Sequence, residues 1–221
     1  MELRKNVIIT AGGSGLRMGA DVPKQFLLLK GKPLVFRTIE TFSNLPMSVE
    51  LYVVIPALYF DLWRELAAQH QMSTPCTLVS GGFTRFHSVK NALALIPSGG
   101  ITAVHDGVRP LVTQEMISSC FDLAKKHPAV VPTMEITESM RQTLDQGFVP
   151  VDRALFRTVQ TPQVFWTDVL KEAYNQSYDP SFTDDASVVE KNGTPLFQTK
   201  GIVRNIKITT PEELQMAEVL W

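Results

Sequence analysis

The sequence predicts an α/β protein: a mostly parallel, twisted sheet with helices on both faces. Short apolar, strand-like runs alternate with segments of helical periodicity through the first two thirds of the chain. Those runs are apolar throughout, with no in-out alternation, as strands covered on both faces are. A length of 221 residues with 44% hydrophobic content supplies one core, which predicts a single domain over residues 1–221.

Val7–Thr10 reads as the first strand, and Pro33–Phe42 as a helix with Leu34, Val35, Thr38, Ile39 and Phe42 turned inward. Val49–Ile55 is the second strand, followed by a helix through Leu58, Leu62, Leu66 and Ala67. Cys76–Val79 and a helix over Phe86–Ile96 come next, then Ile101–Val104. The segment TQEMISSCFDLAKKH is helical with Thr113 as N-cap, and Ala129–Pro132 is a fifth strand. From Thr133 to Asp152 the chain turns polar, with strand-length pieces around a turn signal at Asp145, Gln146 and Gly147. A hairpin-like excursion of that length in a compact domain points to function or to an interface. After FRTVQTPQVF come a helix from Thr167, a helix from Asp184 with Thr183 as N-cap, a strand near Leu196–Thr199, the stretch NIKIT, and a last helix after Pro211.

Composition narrows the function classes. A formal net charge of -1 argues against coating nucleic acid by bulk charge. Cys76 and Cys120 form no C-x-x-C pair and sit in apolar runs, as small buried hydrophobes do, and the four histidines show no metal-ligand spacing. The longest apolar run, LYVVIPALYF, is broken by Pro56 and stopped by Asp61, and the apolar part of the N-terminus is too short for a signal peptide. The expectation is a cytoplasmic protein with no membrane partner.

Ligands of open α/β sheets bind beyond the carboxyl ends of the strands. There the sequence reads TAGGSGLRMG after the first strand, SGGFTR after the third and HDGVRP after the fourth. Glycines admit a ligand to backbone N–H groups, arginines match phosphate oxygens, and a carboxylate such as Asp106 can hold Mg²⁺ between phosphates. This combination reads as a nucleotide site. The dinucleotide fingerprint G-x-G-x-x-G fails because Met18 occupies the third glycine position, and no G-K-[ST] completes a P-loop. What remains is a long loop that brings Arg17 and Lys24 to the same phosphates, with Pro23 stiffening the approach of Lys24.

The ordered motifs TAGGSGLRMG…PKQF, SGGFTRFHSV, VHDGVRP, VDRALFRTVQTPQ, TDDAS and NIKITTPEEL span nearly the whole chain. They resemble those of the cytidylyltransferases, and most closely the family that acts on 2-C-methyl-D-erythritol 4-phosphate in non-mevalonate isoprenoid biosynthesis. The resemblance implies a three-layer, Rossmann-like nucleotidyltransferase fold with a protruding β-arm. It implies CTP as co-substrate, Mg²⁺ as cofactor and a small sugar-alcohol phosphate as acceptor. It also implies a homodimer, with residues 133–152 as the arm that reaches the partner's site. Arg17 and Lys24 then stabilise charge at the α-phosphate, since phosphoryl-type transfer is mostly positioning and charge stabilisation. Ala11, Gly12, Gly13 and Gly15 match nucleotide-cradling positions, Gly82 and Ser88 the surroundings of the base, and Gly107 a further nucleotide position. Asp106 matches the metal ligand. Ser139, Arg153, Thr161, Thr183 and Lys207 match the acceptor positions.

Bland readings stand beside several of these: Ser88 as a helix-start residue, Asp106 as a turn cap before Pro110, and Arg109 as a clamp on nearby carbonyls. Phe83 replaces an acid found in some family members, and Arg204 stands where some carry a second acidic metal ligand. Ribitol-5-phosphate cytidylyltransferases share most of the motifs, so D-ribitol 5-phosphate or a related polyol phosphate is an alternative acceptor. A catalytically silent nucleotide-binding regulator on the same fold is the rival of another class, and the joint presence of Arg17, Lys24 and Asp106 argues against it.

Overall fold

The computed structural model describes residues 3–13 and 22–221. Twelve strands and seven α-helices follow in chain order among the described residues. The first half comprises β1 (Lys5–Thr10), β2 (Leu28–Leu29), β3 (Lys32–Pro33), α1 (Leu34–Ser43), β4 (Glu50–Ile55), α2 (Phe60–Gln69), β5 (Thr77–Ser80) and α3 (Arg85–Leu93). The second comprises β6 (Ile101–Asp106), α4 (Gln114–Ala124), β7 (Ala129–Glu135), β8 (Arg141–Thr143), β9 (Phe148–Pro150), β10 (Arg157–Val159), β11 (Gln163–Trp166), α5 (Thr167–Ala173), α6 (Asp185–Lys191), β12 (Phe197–Lys200) and α7 (Pro211–Leu220).

Eight strands form one mixed, mostly parallel sheet in which β6, β1, β4 and β5 lie side by side in parallel. β11 runs antiparallel between β6 and β7, while β12 adds parallel to β7. From β1 the chain moves through β4 to β5, then returns to the other side of β1 as β6. That reversal opens a crevice at the carboxyl ends of β1 and β6.

Alternation along the strands sorts side chains to the two faces. Val7 and Ile9 of β1 meet Phe36, Ile39 and Phe42 of α1 and Phe121 of α4. Ile8, between them, faces Phe86 and Val89 of α3, Leu170 of α5 and Val188 of α6. All three β1 residues are fully buried, at about 1.5–3 kcal/mol each from the burial of apolar side chains. A smaller cluster joins Leu29, Leu34, Val108, Ile208 and Ala217, and it seats α7 beside the short β2–β3 hairpin.

The five apolar strands and the helices after them lie where the periodicity puts them, with ends shifted by a few residues. Thr113 caps α4 by accepting from the Met116 N–H at 3.3 Å. Three local expectations differ. β7 continues past Pro132 to Glu135 because Thr133–Glu135 pair with β10, whose residues are all exposed and carry no hydropathy signal. The β2–β3 hairpin turns on Lys30 and Gly31, both at positive φ, and is too short for a periodicity to register. Asp184, not Thr183, caps α6: its carboxylate accepts from the Ser187 N–H at 2.9 Å in a capping box.

Residues 133–152 contain the expected hairpin, with Arg141–Thr143 paired to Phe148–Pro150 and a turn closed by Leu144 N–H donating to Gly147 O at 2.9 Å. Every residue of that hairpin is exposed, including Phe148 at 63%.

Candidate active site

Thr10 closes β1 and pairs with Asp106, the last residue of β6, at the point where the strand order reverses. Two cavities open there. The first, about 230 Å³, is lined by Ala11, Gly12, Gly13, Lys24 and Gly82 among others. The second, about 220 Å³, is lined by Arg109, Gln160, Thr161, Gln163, Thr183 and Asp184. Arg85, Asp106 and Lys207 line both.

The Asp106 carboxylate is the anionic centre of that shared wall. Its Oδ2 accepts from Arg109 Nε at 3.0 Å and lies 3.1 Å from Lys207 Nζ, and its Oδ1 is 3.9 Å from Arg85 Nε. Burial by itself would raise its pKa, but Arg85, Lys207 and Arg109 outweigh burial and hold the carboxyl well below the usual carboxylate range. Asp106 is therefore charged at every physiological pH. Arg109 also donates through Nη1 to Asn205 O at 2.8 Å, so it clamps the tip of β6 to the segment carrying Lys207.

Behind Asp106 lies a buried chain of hydrogen bonds. Asp106 N–H donates to Thr161 Oγ1 at 3.1 Å, and Thr161 Oγ1 stands 3.0 Å from His105 Nδ1. His105 Nε2 stands 3.2 Å from the Arg109 carbonyl, which can only accept. The Nε2 proton therefore goes to Arg109 O, leaving Nδ1 to accept from the Thr161 hydroxyl. Burial of the ring holds the His105 pKa down to about 4, which keeps this neutral tautomer in place.

The loop after β5 is shaped by sterics. A Cβ on Gly82 would lie 2.5 Å from His87 Cβ and 3.0 Å from the His87 carbonyl carbon, too close for any side chain. The Gly82 N–H donates to Ser88 Oγ at 3.0 Å. Ser88 is thus not a helix-start residue: Thr84 caps α3, and Ser88 lies within the helix with its hydroxyl tying the loop down. Phe83 beside it is fully exposed and lines the first cavity.

Ala11, Gly12, Gly13, Lys24, Gly82, Asp106 and Lys207 are brought together around the first cavity, with the Lys24 side chain lying over Gly13. Gly107 is buried beneath it and packs β6 on β1: a Cβ there would lie 3.1 Å from Ala11 Cβ. Thr161 and Thr183 line the second cavity. Ser139 and Arg153 line neither; both are exposed, Ser139 within the 133–152 excursion and Arg153 just after it, where it donates to the Thr137 carbonyl. Arg17 and Gly15 lie outside the described residues. Arg85, His105, Asn205 and Asp185 were not singled out by the sequence motifs. Arg85 alone had a visible signal, as the cation that ends SGGFTR.

No group of three His, Cys, Asp or Glu able to hold a metal occurs among the described residues. Arg204 donates instead to the Leu220 carbonyl at 2.8 Å. Asp106 Oδ1, which accepts no hydrogen bond from the described residues, is one hard oxygen donor. That fits Mg²⁺ shared with ligand phosphates and waters, as this ion commonly binds, and does not fit an all-protein cage.

A family model described as 2-C-methyl-D-erythritol 4-phosphate cytidylyltransferase matches residues 6–221. A protein of that name from Bacteroides thetaiotaomicron is 47% identical over 218 residues, covering 99% of this chain and 100% of the relative. One from Porphyromonas gingivalis is 47% identical over 221 residues, covering 100% of this chain and 99% of the relative. The crystal structure of 4-diphosphocytidyl-2C-methyl-D-erythritol synthase from Anaerococcus prevotii aligns with a TM-score of 0.83 at 25% identity, covering 98% of this chain and 95% of its own. The cytidylyltransferase structure from Francisella tularensis gives 0.82 at 29% identity, with 99% and 100% covered.

Proposed function

The chain belongs to the 2-C-methyl-D-erythritol 4-phosphate cytidylyltransferase family, and on that premise we propose that it transfers the cytidylyl group of CTP to the phosphate of 2-C-methyl-D-erythritol 4-phosphate, in isoprenoid precursor biosynthesis. An oxygen of the acceptor phosphate attacks the α-phosphorus of CTP in line. The bond to the β-phosphate oxygen breaks, and pyrophosphate leaves with its electron pair. The observation that carries this reading is the shared wall: one carboxylate and two cations, Arg85 and Lys207, stand between two adjoining cavities of similar size.

In this reading CTP takes the first cavity, with its phosphates at Ala11, Gly12, Gly13 and Gly15 and its base towards Gly82. Ser88 supports the base loop through Gly82, and Gly107 lets β6 approach β1 closely beneath the nucleotide. Lys24 and Arg17 meet the charge that grows at the α-phosphate. Such electrostatic stabilisation commonly supplies most of the rate enhancement in this chemistry. The acceptor takes the second cavity, with Thr161 and Thr183 on its walls and Lys207 holding its phosphate in line. Asp106 would hold Mg²⁺ together with phosphate oxygens and water, and the ion would offset the repulsion between the two phosphates. Arg109 and the Thr161–His105 pair keep Asp106 in place.

The arm completes the proposal. Leu144, Phe148, Val149, Leu155 and Phe156 are all at least 40% exposed along residues 144–156. A second copy of the chain is the occupant this reading assigns to them, and Ser139 and Arg153 would then serve the partner's acceptor site. No helix among the described residues is long and apolar enough to cross a membrane, and the reading puts the enzyme in the cytoplasm with its nucleotide substrate.

The test is pyrophosphate release with CTP, UTP or ATP against 2-C-methyl-D-erythritol 4-phosphate and D-ribitol 5-phosphate, with Mg²⁺ or with EDTA. Release is expected with CTP, the methylerythritol phosphate and Mg²⁺, and is expected to stop in EDTA. Release with ribitol 5-phosphate alone would change the acceptor, and no release with any pair would overturn the enzyme reading.

A further inference from the structure

We propose that Arg85 is a phosphate-contacting catalytic residue at the junction of the two cavities, aimed there by a buried Tyr174–Asp185 pair. The inference rests on the transfer reaction above and adds to it a role for Arg85 and its support, to which the sequence motifs assign none.

Transfer requires the acceptor oxygen and the α-phosphorus to meet where the cavities join. Arg85, Asp106 and Lys207 are the residues common to both linings. Lys207 is a flexible point charge with a side chain 43% exposed. Arg85 differs: its side chain is 29% exposed and fixed at one end. Its Nη2 donates to Asp185 Oδ2 at 2.6 Å, and Asp185 Oδ1 accepts from Tyr174 Oη at 2.6 Å. Asp185 is completely buried in the first turn of α6, and Tyr174, 2% exposed, stacks on Phe86 with ring centroids 4.7 Å apart.

A buried carboxylate with one cation and one hydroxyl on its two oxygens has a single stable arrangement, and leaving it unpaired is costly. Tyr174 keeps its proton because burial and then Asp185 raise its pKa well above the usual value, so it remains a donor. The pair thus fixes one edge of a planar guanidinium. Its Nε lies 3.9 Å from Asp106 Oδ1, and the residue lines both cavities at their junction. A guanidinium presents five N–H donors in a rigid fork that matches phosphate oxygens, which an ammonium cannot do. Arg85 can therefore bridge one oxygen of the α-phosphate and one of the acceptor phosphate, holding two anions in contact while the new bond forms. Asp185 and Tyr174 touch neither substrate and act as positioning residues.

The experiment is steady-state pyrophosphate release by the full-length chain and by Arg85→Lys, Arg85→Ala, Asp185→Asn and Tyr174→Phe, with thermal unfolding of each. Turnover by the parent chain tests the proposed function; the variants, read relative to the parent, test Arg85. Arg85→Ala is expected to lose about 100- to 1,000-fold in kcat, the range seen when one donor to a developing oxyanion is removed. Arg85→Lys is expected to recover less than a tenth of that loss, and millimolar guanidinium, but not sodium at equal ionic strength, to restore part of the Arg85→Ala rate. Tyr174→Phe is expected to lower kcat about tenfold with KM for CTP unchanged. A folded Arg85→Ala with kcat within threefold of the parent would overturn the proposal. Should Arg85→Ala not fold, Arg85→Lys with parental kcat would overturn it equally.

Discussion

Asp106 is a single carboxylate facing Arg85, Arg109 and Lys207, and its neighbours explain why it has to stay charged. Asp106→Asn removes the negative charge that faces those cations and that the proposal assigns to Mg²⁺. We expect turnover to fall at least about 100-fold, with the Mg²⁺ concentration for half-maximal rate shifted upwards. An unchanged Mg²⁺ dependence, read from rate against free Mg²⁺, would contradict that role. Lys24→Ala should lower turnover by orders of magnitude while circular dichroism stays native. His105 supplies a pH signature of stability. Its folded pKa, about 4, lies below the unfolded value of 6.5, so the unfolded chain binds the extra proton. Its contribution is complete above 6.5 and is lost as pH falls towards 4, on the order of 3 kcal/mol in all. Urea midpoints at pH 7.5 and 4.5 should therefore differ less in His105→Gln than in the parent chain.

Among the elements, the β5–α3 connection shows most clearly how local rules build the site. Gly82 has no room for a Cβ against His87, and Thr84 caps the helix that follows. Gly82→Ala should destabilise by about 1–3 kcal/mol, the usual cost of overpacking, and raise KM for CTP. Thr84→Ala should cost about 1 kcal/mol, as the loss of an N-cap does, with both read from urea unfolding. The buried strands and their helices were legible in the sequence because burial on both faces leaves a hydropathy signal, as in VVI of β4 and ITAV of β6. β10 was not legible, because its three residues are exposed and held by pairing with β7 alone. The glycine loops and Asp106 announced themselves through residue type at strand ends. Arg85 showed only as the cation ending SGGFTR, and Asp185 not at all, because their pairing is a contact between residues 100 positions apart.

For the whole molecule, the sheet reversal puts β1 and β6 side by side with their loops at one end, and both cavities follow from that. The hairpin of β8 and β9 leaves Phe148 and Val149 exposed, with Arg141 lying over the Phe148 ring, and the proposed dimer would give them a surface. If the proposed dimer forms, Phe148→Glu together with Val149→Glu should convert it to monomer in sedimentation velocity at micromolar concentration and reduce turnover, with the monomer's far-ultraviolet spectrum intact. A parent chain that is monomeric and fully active would remove the arm from the site. The claim on which all scales depend is that the acceptor phosphate itself attacks CTP where the cavities meet. Acceptor labelled with ¹⁸O on its phosphate, turned over with unlabelled CTP, tests this by mass spectrometry of both products. All of the label is predicted in the cytidylylated product and none in pyrophosphate; label in the pyrophosphate would contradict the account.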